Sequence, residues 1–329
     1  MKLIVNIPAY NEEADLGKTI QRIRKSFDQD FYSKEGAVIS EKLIQVVDDG
    51  STDNTAKVAR DSGADIVVSY KPNRRLAYSF KQAVESSLKN GADFMVNIDA
   101  DGQFDANDIP DLLSPVIKGE ADMVIADRFG KHKAKNIPWI RSFFNRFAAS
   151  VIGFFLNYKT NDLTCGFRAH SREAMLRLNL TNIYFTYTQE TIIDAIGKNL
   201  KLKWVPIVVT YFDNREAKIT KSIFKFISNS FKIILKAIRD VRPLKFFGWP
   251  GIFLLAIGFI GFAIFLVNYF LSFKISPYLN YIIFSAISTI LGIQLVVFAL
   301  IADMIKSSRQ LTEELLYQWK KDKYNNQRP

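Results

Sequence analysis

Two long apolar segments near the end of this 329-residue chain limit its fold more than any other feature. The first runs from Phe246 to Leu271 and the second from Tyr278 to Ala302, and neither contains a charged residue. Each matches the roughly 20 apolar residues that cross a hydrocarbon core of about 30 Å. A pair of buried core helices is the alternative, and charge-free runs of this length are rare in soluble folds. The expectation is a polar domain followed by two transmembrane helices, and a mean hydropathy of +0.02 is the average two such parts would give.

The charge distribution agrees with a membrane junction. The net charge of +11 could suggest nucleic acid, but the cations cluster beside the apolar segments. Nine Lys/Arg against two acids lie between Arg215 and Lys245, and six against three between Lys306 and Pro329. The connection from Ser272 to Asn280 has only Lys274. By the positive-inside rule both termini are cytoplasmic, the protein is multi-pass, and the basic clusters meet anionic headgroups rather than nucleic acid. Met1 to Ile7 is too short for a secretory core and runs at once into Asn11, Glu12 and Glu13. The single cysteine, Cys165, cannot form an internal disulfide, which fits a reducing compartment.

Ahead of the apolar segments, periodicity alternates between strand and helix. Lys2 to Ile7 reads as a buried strand ending at Pro8, and Ala14 to Phe27 as an amphipathic helix. Asp28 to Glu41 reads as a loop; Leu43 to Val47, Ile66 to Ser69, Phe94 to Ile98 and Met123 to Ala126 read as further strands. Helices are expected from Thr55, capped by Asp53, over Ala77 to Lys89, Trp139 to Leu156 and Thr186 to Lys198, with a last strand over Trp204 to Thr210. Such alternation implies an α/β domain with a mainly parallel sheet. Lys221 to Val241 has the spacing and cationic face of a helix lying in the membrane interface. The organisation expected is a catalytic domain over 1–218, an interfacial helix over 219–245, membrane helices at about 246–271 and 278–302 within 246–303, and a basic cytoplasmic tail over 304–329.

Ligands of such sheets bind beyond the carboxyl ends of the strands. Two acidic motifs fall there: Val47-Asp48-Asp49-Gly50-Ser51 after the second strand and Asp99-Ala100-Asp101 after the fourth. Paired hard carboxylate oxygens suit Mg²⁺ or Mn²⁺, although Asp-x-Asp alone is common in loops. His132 and His170 lack metal-spaced companions, and neither Gly-x-Gly-x-x-Gly nor a Walker A pattern is present.

In combination, Pro8-Ala9-Tyr10-Asn11-Glu12-Glu13 and the two acidic motifs resemble the family 2 glycosyltransferases of the GT-A nucleotide-diphospho-sugar transferase fold. Ala126-Asp127-Arg128-Phe129, Asp162 to Arg168 and Arg215 to Lys221 are similar to the polyprenyl-phosphate sugar synthases, the group containing dolichol-phosphate mannose synthase. The resemblance implies a nucleotide site of Pro8, Tyr10, Glu12, Asp48, Asp49, Arg74 and Asp99. It implies a metal held by Asp99 and Asp101 with Gln103, and Arg128 at the sugar or the phosphates. Arg215 and Lys221 would meet the acceptor phosphate, and Asp162 and Glu190 would supply acceptor contacts or a base. Two departures stand out: Asn73-Arg74-Arg75-Leu76 has Arg75 where the family often has glycine, and Arg215 to Lys221 lacks a glycine and has Thr220 for serine.

The implied activity is an inverting, membrane-anchored hexosyltransferase of the polyprenyl-phosphate type. Its partners would be a GDP- or UDP-linked sugar, a dolichyl or undecaprenyl phosphate and the cell membrane or an ER-type membrane, with Mg²⁺ or Mn²⁺ as cofactor and a homo-oligomer left open. A lipid phosphate carries about 1.5 to 2 negative charges at neutral pH and can attack without a base. The rivals are a transferase acting on a hydroxyl of a glycolipid or polysaccharide, which needs a base, and a non-catalytic membrane adaptor.

Overall fold

The computed structural model describes residues 1–34, 39–129, 149–150, 153–154, 157–180, 187–209, 235, 239 and 241–326. They form two compact units, one of Met1–Ile234 with Leu315–Pro329 and one of Leu235–Glu314.

In the first unit the strands are β1 (Lys2–Ala9), β2 (Glu41–Asp48), β3 (Ile66–Ser69), β4 (Phe94–Asn97), β5 (Met123–Asp127), β6 (Arg168–Ser171) and β7 (Leu202–Pro206). The sheet order is β3-β2-β1-β4-β6-β5-β7. Pairing is parallel except at β6, which runs antiparallel to both β4 and β5. The helices are α1 (Leu16–Ser26), α2 (Phe31–Lys34), α3 (Thr55–Asp61), α4 (Leu76–Lys89), α5 (Ile109–Ile117), α6 (Arg172–Arg177) and α7 (Tyr187–Gly197). The fully buried Leu3, Ile4, Val5 and Ile7 of β1, with Ile44, Val46 and Val47 of β2, explain why these strands read as continuous apolar runs.

Several boundaries differ from the sequence reading. β1 continues through Pro8 to Ala9 in register with β2, and the presumed loop from Asp28 to Glu41 contains α2 and the start of β2. The last strand spans Leu202–Pro206 rather than starting at Trp204. Asp53 accepts from the Thr55 amide at 3.0 Å, yet the residue at the cap of α3 is Asn54. Neither α5 nor the β6–α6 segment was expected. β6 reads Arg-Ala-His-Ser, and only its two neighbouring strands make it a strand. Most of the helices expected over Trp139 to Leu156 and Lys221 to Val241 lie outside the described residues.

In the second unit α8 (Pro243–Ser272) and α9 (Leu279–Asn325) are each long and apolar enough to cross a membrane. They approach closely at small residues: a Cβ on Gly251 would lie 3.1 Å from the Gly292 carbonyl, and one on Gly258 would lie 3.0 Å from the Ser285 carbonyl. That is the packing expected of helices in lipid. Phe253, Phe259, Leu271 and Phe284 point outward and exposed, an apolar surface of the kind that marks a membrane or protein contact.

The end of α9 belongs to the first unit. Tyr317 and Tyr324 are buried in a cluster with Phe80, Val84, Leu88, Met175, Leu176 and Tyr187. The Tyr317 hydroxyl donates to Glu173 at 2.9 Å beneath the Arg177 guanidinium, and the Lys320 ammonium donates to Asn179 Oδ1 at 2.6 Å. The tail beyond residue 304 is therefore helical to Asn325, and its last turns pack into the α/β unit.

Candidate active site

The carboxyl ends of β1, β2, β4 and β5 share one edge of the sheet, and the sequence motifs gather there. The loops after β1 and β2 are joined by reciprocal hydrogen bonds. The Asn11 amide donates to Ser51 Oγ at 3.0 Å, the Thr52 amide to Asn11 Oδ1 at 2.9 Å, and the Glu12 amide to Thr55 Oγ1 at 2.9 Å. Pro8 is partly buried where the first loop begins, and Tyr10 stands 41% exposed, open for a planar ligand to stack on.

Asp48 and Asp49 are buried, and local donors engage both. Asp48 accepts from the Ser51 amide and the Ser69 hydroxyl, each at 3.0 Å. Asp49 accepts from Asn73 Nδ2 at 3.0 Å and from the Arg74 amide at 2.8 Å, which draws the 70–75 segment onto the β2 loop. Gly50 between that loop and the segment has φ +71°, and a Cβ there would lie 2.8 Å from the Asn73 amide nitrogen. Only glycine meets both demands. The Arg74 guanidinium lies over the Tyr78 ring at 4.8 Å. Arg75 has φ 71° and ψ 165°, so the backbone keeps a glycine-like conformation although the side chain has changed.

After β4 the surroundings change. Burial first, and then the adjacent charge of Asp101, push the Asp99 carboxyl up to about 7, with Arg128 and Arg168 acting against that rise and Glu12 adding to it. Among the described residues the Asp99 carboxylate accepts no hydrogen bond. Asp101 accepts from the Gln103 amide at 3.1 Å, closing a turn that Gly102 completes with φ +70°. Two neighbouring carboxylates whose negative charges oppose each other, at the mouth of a sheet, are a donor set that a hard divalent cation fits. No group of three or more His, Cys, Asp or Glu placed to hold a metal ion occurs among the described residues, so such a cation would complete its coordination with substrate and water oxygens.

Arg128 follows β5 and is gripped by Asp162. Its Nε donates to Asp162 Oδ2 at 2.6 Å and its Nη2 to Asp162 Oδ1 at 3.0 Å, with a further bond to Thr164 Oγ1 at 2.6 Å. Asp162 is fully buried and also accepts from the Thr164 amide at 2.9 Å. A carboxylate bound by a bidentate guanidinium fixes the direction in which that guanidinium points. Glu190 lies partly buried in the first turn of α7. Arg215 and Lys221 lie outside the described residues.

Sequence reasoning quoted Arg168 only as part of a motif and overlooked Asn97 and Tyr187. Arg168 is 1% exposed and is a large side chain sunk in the core. It faces Asn97 across the antiparallel β4–β6 pair, a juxtaposition that local periodicity does not reveal.

A parallel-rich sheet with one antiparallel strand, whose strand ends carry a cation-compatible aspartate pair, is the GT-A fold of sugar transferases. The chain belongs to glycosyl transferase family 2, whose model matches residues 4–178. It is similar to the glycosyltransferase AglJ of Haloferax volcanii, 27% identical over 91% of this chain and 92% of that one. It is also similar to a UDP-N-acetylglucosamine–dolichyl-phosphate N-acetylglucosaminyltransferase of Methanococcus voltae, 28% identical over 67% and 90% of the two chains. Among solved structures, glucosyl-3-phosphoglycerate synthase from Mycobacterium tuberculosis, in complex with Mn²⁺, UDP and phosphoglyceric acid, shares the fold. Its TM-score is 0.54 at 21% identity, covering 73% of this chain and 78% of that one.

Proposed function

We propose that this protein is a membrane-anchored inverting glycosyltransferase that moves a hexose from a GDP- or UDP-linked sugar to a polyprenyl phosphate on the cytoplasmic face. The observation that carries the reading is the Asp99–Asp101 pair within electrostatic reach of Arg128 at the sheet edge. Dolichyl-phosphate acceptors in the name of a relative support the acceptor class.

The roles follow from the chemistry. Pro8, Tyr10, Glu12 and Arg74 border the nucleoside, and Asp48 and Asp49 build the loop that receives it. Asp99 and Asp101, with Gln103, would hold Mg²⁺ or Mn²⁺, which offsets charge on the departing diphosphate when bound. Arg128 offers planar donors to the sugar or phosphate oxygens, and Asp162 fixes its direction. The anomeric carbon loses its bond to the nucleoside diphosphate as a lipid phosphate oxygen forms the new one from the opposite side. No proton has to be removed, which fits an Asp162 committed to Arg128 and leaves Glu190 as a sugar contact. Arg215 and Lys221 draw the acceptor phosphate in, while α8 and α9 span the bilayer with both termini cytoplasmic. The division into residues 1–218, 219–245, 246–303 and 304–329 belongs to the same reading.

The test is to incubate purified protein with labelled GDP- and UDP-sugars, Mn²⁺ or Mg²⁺, and dolichyl or undecaprenyl phosphate. An acid-labile glycosyl phospholipid is expected. A glycan linked through a hydroxyl, or no transfer from any donor, would overturn the proposal.

A further inference from the structure

The side chains around Asp99 close on a single point. The Asn97 amide donates to the Gly166 carbonyl at 3.1 Å and to the Tyr187 hydroxyl at 3.4 Å, and its oxygen accepts from Asn6 Nδ2 at 2.7 Å. Asn6 Oδ1 accepts in turn from Gln45 Nε2 at 3.0 Å, and that same nitrogen donates to the Ala83 carbonyl at 3.1 Å. A row of buried amides thus crosses β2, β1 and β4 and ends on Gly166 and Tyr187. From β6, Arg168 holds the loop before Gly166 through the Cys165 carbonyl at 2.8 Å and the start of α7 through the Thr188 carbonyl at 2.8 Å.

Gly166 is where this network meets the carboxylate. A Cβ there would lie 3.0 Å from Asp99 Oδ1, 3.2 Å from Asp99 Oδ2 and 3.4 Å from the Tyr187 hydroxyl. Gly166 is not among the glycines with positive φ, so its backbone accepts any residue, and an added Cβ would instead press the Asp99 carboxylate out of place by a few tenths of an ångström. The Tyr187 hydroxyl bounds that space. Its oxygen accepts from Asn97 at 3.4 Å, which ties it to the same network.

We propose that Gly166 and Tyr187 are positioning residues for Asp99. The missing side chain of Gly166 is the room in which the carboxylate lies, and the Tyr187 hydroxyl bounds that room, so that the carboxylate keeps one direction toward the cation. The inference rests on the reading of Asp99 as a metal ligand. Residues that orient a ligating side chain are worth roughly 10- to 100-fold in metal affinity.

Mn²⁺ binding to the purified full-length protein, with UDP present, can be followed by loss of the free-ion EPR signal. The wild type, Gly166→Ala, Tyr187→Phe and Asp99→Asn would be compared. Both positioning variants are expected to melt near the wild type and to bind Mn²⁺ more weakly, Gly166→Ala by roughly 10-fold or more, with kcat falling more than the KM for lipid phosphate rises. Wild-type affinity in both, with Asp99→Asn impaired, would overturn the positioning role and leave the metal assignment standing. Mn²⁺ binding indifferent to Asp99→Asn would overturn that assignment and the inference with it. If Gly166→Ala does not fold, Tyr187→Phe, which deletes one oxygen, decides the matter by the same criterion.

Discussion

Asp48–Asp49 and Asp99–Asp101 are acidic pairs on the same sheet edge, and the protein uses them in opposite ways. Four donors converge on the first pair: the Ser51 amide, the Ser69 hydroxyl, the Asn73 amide group and the Arg74 amide. Its charge is dispersed into the loops it organises. Asp99 has no such donor among the described residues, and burial, then the charge of Asp101, disfavours its ionised form. Buried charge that is hydrogen-bonded builds structure, whereas charge left uncompensated is poised for a ligand of opposite sign.

The largest test of this contrast compares function with stability. Asp99→Asn and Asp101→Ala are expected to lower transfer by roughly 100-fold or more, the loss typical of a group acting on developing charge, while thermal melts stay near the wild type. Asp48→Asn is expected to do the reverse, losing about 1–3 kcal/mol in denaturant titrations through its mispaired donors with transfer still measurable. Equal activity losses without destabilisation would erase the distinction. Between these in character is Asp162→Asn, which leaves the partly buried Arg128 against a neutral partner. It should cost about 1–3 kcal/mol, and a stable, active variant would show that the clamp is dispensable.

A smaller effect concerns His170, a second uncompensated buried group, which no ligand is expected to relieve. Burial, then the charge of Arg168, pushes its pKa from the usual 6.5 down to about 3. Below pH 6.5 the unfolded chain takes up a proton that the folded chain refuses. The contribution to stability is complete above 6.5 and is lost as pH falls toward 3, with a slope of at most about 1.4 kcal/mol per pH unit. His170→Leu should flatten that acid limb of the stability curve; an unchanged slope would mean that His170 protonates freely in the fold. The smallest effect is at Arg75, whose backbone is held in a glycine region next to the Arg74 amide that Asp49 binds. Arg75→Gly should stabilise the protein by about 1 kcal/mol, and a loss would show that the side chain repays the strain.

Much of this architecture is legible in the chain. β1, β2, β4 and β5 announce themselves because strands largely buried on both faces are near-continuous apolar runs, and the motifs after β1, β2 and β4 mark one edge because parallel strands all end there. β6 is not legible. Arg168 and His170 would ordinarily exclude a core strand, and the segment is a strand because β4 and β5 satisfy it from either side. The tail is similar: its basic composition suggests solvent, and only Glu173, Arg177 and Asn179 explain why Tyr317 and Lys320 are packed against the sheet unit.

The apolar runs and acidic motifs by themselves determined an α/β domain with an acidic sheet edge joined to two membrane-length helices, since hydrophobicity and strand-end chemistry are written locally, and the resemblance of those motifs pointed to family 2. What the tertiary structure decided is the work each acid performs. Asp49 is answered by Arg74, 25 residues away, and the loop beside Asp99 is held by Asn97 reaching Gly166 across 69 residues. A carboxylate's character is set by the donors and charges around it, and here those neighbours are distant in the chain and meet only in the fold.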